Sequence, residues 1–403
     1  MLASVGKRPG LNVFLSLHMT PLLIDHNLCI IQDSKQDWSA EAACMANVYK
    51  NSICNFAAAS AMSSAEGCFV ERNASALKPC SIRVVGHPSY SITDIRPEEE
   101  FLESPLNKRA WVLQERFLAP RVLHFGKRQL FWECRKGLAS EMHPKGVPSV
   151  AWVTERDSTL VNARSSFQAA VENKTWLRND WKSIVITYSR ANLTVASDKL
   201  VALSGIATEV QRITSDDYLA GLWRSDLINQ LAWYVENWSG VKPQAYRAPS
   251  WSWASVDGQI LYENWVLFDS WSPLVSILHA QVTTVDGNKP GQVSHGLLRL
   301  RGTLFKPEAL AKNRMEGSIS PGKTMMTYID LEISSCMQLP ADGVFCLPLI
   351  RSRGTLHGLR GLLLRACDDG VDRGRFERVG YFIDWDPDLS FFRAQPQETI
   401  EIV

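Results

Sequence analysis

The sequence predicts an α/β unit, a helical middle region and a C-terminal β-rich unit, α+β overall. Three observations lead there. Over the first third, short apolar runs flank a capped amphipathic stretch; through the middle, apolar residues keep a 3.6-residue spacing; from Ser250 onward, short β-type runs are punctuated by Gly, Pro and Asp. On this reading residues 1–27 are an atypical N-terminal segment, 28–140 an incomplete α/β domain, 141–249 a helical region and 250–403 a β-rich region.

Residues 28–31 form a short apolar run with the look of a buried strand. Ser34 and Asp37 stand at capping-box spacing, because a helix leaves its first amide groups without internal acceptors and a serine hydroxyl can take one. They open a helix with Trp38, Ala42, Met45, Val48 and Tyr49 on one face. Residues 53–59 read as a second strand, ending in a Ser/Gly-rich turn at 60–67. Residues 70–104 are polar, carry Pro79, Pro88 and Pro97 and an acidic run at 98–100, and read as a surface excursion with short strands. A helical pattern over 107–117 is stopped by Pro120, and 121–134 reads as a hairpin turning at Gly126 and Lys127.

Farther on, Trp176, Trp181, Ile184, Val185 and Tyr188 fit one helix. Leu200, Leu203, Ala207 and Val210 fit another, capped at Ser197 or Asp198. Residues 218–235 continue the helical block through Leu222, Leu227 and Leu231. The β runs fall at 251–256, 275–285, 297–305, 328–333, 344–350, 361–366, 379–383 and 399–403, a spacing that suggests a sandwich or barrel-like unit.

Composition narrows the function. Of 403 residues, 45% are hydrophobic and 21% charged, which is globular, and the net charge of +1 supplies no long-range field to draw nucleic acid or an anionic membrane. No apolar run approaches the roughly 20 residues that span a bilayer. Residues 11–23 are apolar behind Lys7 and Arg8, but His18 and Pro21 interrupt them, so a secretory leader is not expected. Nine cysteines, an odd number without a CxxC pair, argue for reduced thiols in a cytoplasmic setting and against a disulfide framework or structural zinc. Fourteen tryptophans supply core volume. HExxH, an acidic calcium loop, GxxxxGK, GxGxxG and GxSxG are all missing from the sequence, so no metal and no resident cofactor is expected.

Several segments in order resemble the heterokaryon incompatibility domain of filamentous fungi. They are Leu28-Cys-Ile-Ile-Gln-Asp33 with Asp37-Trp38, Glu41-Ala42, Met45-Ala46 and Tyr49; Asn51-Ser52 through Ala57-Ala58-Ala59-Ser60 with Glu66-Gly67-Cys68-Phe69; Pro105-Leu-Asn-Lys-Arg-Ala-Trp-Val-Leu-Gln-Glu-Arg116; and Pro120-Arg-Val-Leu-His-Phe-Gly126 with residues 129–134. Tyr218-Leu-Ala-Gly-Leu-Trp223 and Ala248-Pro-Ser-Trp-Ser-Trp-Ala-Ser255 are similar to the region that commonly follows. The opening departs from the family: residues 1–27 lack its Ser-Tyr and Trp-Gly pattern, and Asp25 lies one residue too far from Leu28, with His26 at the expected place. A lost or misjoined N-terminal strand is the expectation, and it would leave neighbouring backbone unpaired.

The resemblance implies non-self recognition that ends in growth arrest and programmed cell death, with protein partners or self-association. It also implies a Toll/interleukin-receptor-like α/β unit, a fold in which some members cleave NAD at the nicotinamide bond. A carboxylate suits that reaction because it holds ribose hydroxyls and stabilises an oxocarbenium-like centre. Glu41 and Glu115 are the candidates, with NAD as substrate and Arg109 and Lys127 as the groups that would meet its phosphates. Each has a plainer reading. Glu41 complements a helix dipole, Glu115 belongs to an ion-paired cluster with Lys108, Arg109 and Arg116, and Lys127 is a solvated turn cation. Cys29 and His124 suggest a thiol nucleophile and its base, yet apolar neighbours favour an inert thiol and a core histidine. A catalytically inactive remnant is the third reading.

Overall fold

The computed structural model describes residues 13–16, 22–25, 31, 33–63, 66–78, 80–86, 90–92, 97–147, 155–173, 178–262, 271–285, 287, 290–306, 309–310, 316–318, 324–331, 343–352, 358–367, 374–384 and 396–403. The chain divides into two compact units, one of residues 1–194 and 201–214, the other of 195–200 and 215–403. The sequence-predicted strand at 28–31 falls largely outside the described residues, and so does Cys29.

The first unit opens with β1 (Val13–Ser16) and β2 (Leu22–Asp25), an antiparallel pair. Helix α1 (Lys35–Asn51) starts as its sequence requires: the Ser34 hydroxyl accepts the Asp37 amide at 3.2 Å, and the Asp37 carboxylate takes the Ile31 amide at 2.8 Å. Ala42, Met45 and Tyr49 form its buried stripe, and Trp38 meets Trp111 edge-on at 6.3 Å. The chain then enters β3 (Ser52–Ala57), antiparallel to β1. The polar excursion holds the small pair β4 (Cys80–Ile82) and β5 (Tyr90–Ile92), followed by α2 (Pro97–Leu102).

A 3-10 turn over Pro105–Lys108, capped by Ser104, leads into α3 (Ala110–Leu118), in which every residue but Trp111 is buried. Such a helix is shielded on all sides, so its polar residues must find partners inside. Ala119 ends it just before Pro120, where a proline ring disfavours helical backbone. The expected hairpin follows as β6 (Arg121–Phe125) and β7 (Leu130–Cys134), extended by β8 (Gly137–Ser140). β3 and β6 are parallel, and the sheet order is β2-β1-β3-β6-β7-β8. Helices α4 (Glu155–Asn173), α5 (Arg178–Ser189) and α6 (Ser204–Thr214) complete the unit.

The second unit corrects two sequence expectations. Residues 218–235 do not continue a helix. They form β9 (Tyr218–Leu219) and β10 (Leu222–Trp223), the one-turn α7 (Leu227–Gln230) and β11 (Trp233–Val235). The cause is local: Ala220 and Gly221 adopt φ of 48° and 97°, and left-handed backbone breaks a helix. A side chain at Gly221 would also strike the Trp253 ring. Nor are residues 251–256 a strand. They contain a 3-10 turn at Trp253–Ser255 in which Trp251 and Trp253 are fully buried, with the Trp253 indole donating to Gly221 O at 2.8 Å. β12 (Ile260–Tyr262) pairs with β11.

The remaining strands form one ten-stranded sheet. They are β13 (Trp271–Pro273), β14 (Ser276–Thr284), β15 (Val293–Thr303), β16 (Ala309–Leu310), β17 (Glu316–Ser318), β18 (Thr324–Ile329), β19 (Val344–Ser352), β20 (Leu359–Ala366), β21 (Arg375–Asp384) and β22 (Gln397–Ile402). β21 is the branch point, with β20 and β18 antiparallel on its two sides and β22 parallel near its start. Arg378 of that strand is buried: it donates to Asp330 at 2.8 Å and to Leu231 O at 2.6 Å, and lies 3.4 Å over the Trp233 ring.

Close approach at Gly205 holds α1, α3 and α6 together in the first unit. Its amide donates to Gln114 Oε1 at 2.7 Å, and a Cβ there would stand 2.7 Å from Ala46 Cβ. Gly205→Ala is therefore expected to destabilise the protein by about 1–3 kcal/mol through overpacking, read as a lower urea midpoint with an unchanged slope.

Candidate functional site

Helix α3 places Gln114, Glu115 and Arg116 in succession, and consecutive helical residues point about 100° apart. The three side chains therefore serve three neighbours. Gln114 meets the amide of Gly205, Glu115 turns toward Tyr49 and Arg109, and Arg116 reaches the sheet.

The partner of Arg116 is Glu133 on β7. Arg116 Nε and Nη2 donate to the two Glu133 oxygens, each at 2.6 Å, with both side chains at most 3% exposed. His124 lies diagonally across the hairpin on the same face, since Val122 stands opposite Glu133, and its Nε2 is 3.2 Å from Glu133 Oε2. Arg164 of α4 approaches that oxygen to 3.8 Å. Its guanidinium donates to Arg116 O and Ala119 O at 2.8 Å and to Cys134 O at 3.1 Å, and Gln168 donates to Phe117 O. The bonds to Arg116, Phe117 and Ala119 satisfy the last carbonyls of α3, where the helix dipole is negative. The Arg116 guanidinium also sits 4.7 Å over the Phe101 ring.

Burial and charge push these groups apart. Burial alone would raise the Glu133 carboxyl, but the charges of Arg116 and Arg164 overcome it and hold it well below the usual range. Burial lowers His124, so the imidazole is neutral and satisfied within the core. Glu115 goes the other way: burial raises it to about 7, against the charge of Arg109 and a Tyr49 hydrogen bond.

The sequence-predicted site residues are thus dispersed. Glu115 is 4% exposed and feels the charge of Arg109, whereas Arg116 pairs with Glu133. Glu41 is partly buried on α1, and Lys127 is exposed in the β6–β7 turn. Among the described residues no hydrogen bond or ion pair joins Glu41 or Lys127 to Glu115. The sequence reading missed Glu133 and Arg164. Glu133 had a signal, because it shares the inward side of an alternating strand with Phe131.

A pocket of about 280 Å³ opens where the end of α5 meets the turn before α3. Two backbone bonds form the join, Asn192 N to Lys108 O at 2.7 Å and Ala110 N to Asn192 O at 3.0 Å. Its polar lining is Asn107, Lys108, Arg116, Thr187, Arg190 and Asn192, and its apolar lining is Leu102, Val112, Leu113 and Ala191. Among the described residues three cations line it and no carboxylate does. Among the described residues no cluster of His, Cys, Asp or Glu could hold a metal ion, and no helix is long and apolar enough to cross a membrane.

Residues 11–115 match the family model described as Heterokaryon incompatibility protein (HET). No curated protein and no solved structure matches. The matched segment begins inside the stretch read as atypical, takes in β1 and β2, and ends at Glu115. It contains Glu41 and Arg109 and leaves out Lys127, Glu133 and Arg164.

Two stability outcomes follow from the opposed carboxylates. Glu133→Gln strands buried guanidinium charge and is expected to cost about 3–5 kcal/mol at pH 7, measured by chemical denaturation. Glu115 titrates near 4.5 when unfolded and at about 7 when folded, so the folded state binds its proton more tightly. Its contribution is full below pH ~4.5 and declines by about 3 kcal/mol as pH rises through ~7. Glu115→Gln should flatten that decline and leave the acid-side loss caused by Glu133, which runs in the opposite direction.

Proposed function

We propose that this chain, whose residues 11–115 match the heterokaryon incompatibility family model, is a non-self recognition effector coupled to fungal programmed cell death. The family match over a folded sheet-and-helix unit is the single observation that supports this reading. The proposal extends to protein partners, self-association, a cytoplasmic setting and a Toll/interleukin-receptor-like character for the α/β unit. In an effector of this kind the Arg116–Glu133–Arg164 cluster is internal scaffolding that ties α3 to the hairpin, and signalling passes through surfaces.

NAD glycohydrolysis is the second reading, and one observation favours it. Glu115 changes protonation at about pH 7, the range in which a carboxyl serves both as acid and as base. In that reading Glu115 or Glu41 supports the ribose as nicotinamide leaves, and Arg109 and Lys127 meet the phosphates. The small exposure of Glu115 and its place outside the cationic pocket weigh for the effector reading, since a catalytic carboxylate has to touch substrate. An inactive remnant is the third reading.

Two measurements separate them. Induced expression of the full chain in a filamentous-fungal host is expected to arrest growth, and arrest should persist with Glu41→Gln and Glu115→Gln. Purified chain incubated with NAD is expected to release no nicotinamide. Release abolished by either substitution would instead establish the enzyme, and a host that grows normally while the chain accumulates would establish the remnant.

A further inference from the structure

We propose that the pocket between the end of α5 and the turn before α3 binds a small phosphate monoester with an apolar or ring-shaped body. This goes beyond the effector reading and involves none of Glu41, Arg109, Glu115 and Lys127.

The charge of the lining carries the argument. Lys108, Arg116 and Arg190 all line the space, and among the described residues no carboxylate does. Arg116 lines the pocket and at the same time belongs to the buried cluster. Behind it, two guanidinium groups share one ionised carboxylate, because Glu133 faces both Arg116 and Arg164 and the nearby His124 is neutral. The carbonyls at the end of α3 offset part of the Arg164 charge. The remainder favours an anion where the pocket reaches Arg116. Lys108 is exposed, and among the described residues its side chain forms no ion pair, so its charge is available to a ligand.

The uncharged groups define the rest of the ligand. The Thr187 hydroxyl and the Asn192 side-chain amide have no hydrogen-bond partner among the described residues, and both line the space. They suit the terminal and ester oxygens of a phosphate, which offers more acceptor positions than a carboxylate and carries up to two charges near neutrality. Leu102, Val112 and Leu113 supply apolar wall for the body of the ester. A volume of about 280 Å³ lies at the small end of ligand sites, enough for a compact ester and too little for a dinucleotide.

Isothermal titration of the full chain with phenyl phosphate tests this, with benzoate, phenol, inorganic phosphate and NAD as comparison ligands. Saturable one-to-one binding of phenyl phosphate is expected, tighter than that of inorganic phosphate or benzoate, with phenol and NAD not competing. Lys108→Glu should weaken it about tenfold or more, the loss of one charge-assisted hydrogen bond, and Lys108→Arg should restore most of it. An unchanged thermal transition will show that both variants fold. Absence of binding to the wild-type chain, indifference to Lys108→Glu, or equal affinity for benzoate would each overturn the assignment, as would displacement by NAD.

Discussion

A carboxylate on the inward side of a strand has to be met by charge or lose its own, and in the first unit the bidentate contact of Arg116 with Glu133 meets that requirement. Removing both ions from water costs several kcal/mol apiece, and only close geometry with further hydrogen bonds offsets such a cost. Both conditions hold here. The partners come from a helix and a hairpin separated by 17 positions, so the pair also fixes how α3 lies on the sheet. Arg164 then joins α4 to the same point by taking the carbonyls with which α3 ends.

The same helix shows why adjacent residues have unrelated chemistry. Glu115 and Arg116 are neighbours in sequence, yet one turns toward Tyr49 on α1 and the other toward β7. The Glu115 carboxyl is raised because desolvation outweighs a single cation and a hydroxyl. That of Glu133 is lowered because two guanidinium groups outweigh an equally complete burial. One carboxylate is therefore held charged well below the usual carboxylate range and is structural, and the other changes state near neutrality. The pocket is lined by Arg116, the partner of the first carboxylate, and by neither carboxylate itself.

The second unit repeats the device with different parts. Arg378 on β21 is buried against Asp330 and the Trp233 ring, and its remaining donors reach the carbonyls of Leu231 and Trp233. A strand at a sheet branch point thus gains a polar anchor in which each of the three guanidinium nitrogens donates to at least one acceptor. Around it, Trp251 and Trp253 fill volume that a repeated aliphatic pattern would have supplied in a regular strand.

Much of the fold was legible because its signals are local. The cap at Ser34, the stop before Pro120, the hairpin of β6 and β7 and most of the late β runs depend on neighbours within a few residues. The misreadings at 218–235 and 251–256 arose where apolar spacing imitated a helix or a strand while left-handed backbone at Ala220 and Gly221 and tryptophan packing decided otherwise. The same division holds for the site. The sequence by itself determined that Glu115 lies in a helix crowded with cations, and which family the chain resembles. Only the tertiary structure decided that Arg116 belongs to Glu133, that Arg164 completes the cluster and that three cations share a pocket. Those facts rest on contacts between residues far apart in the chain, and their energies depend on burial, which no local pattern encodes.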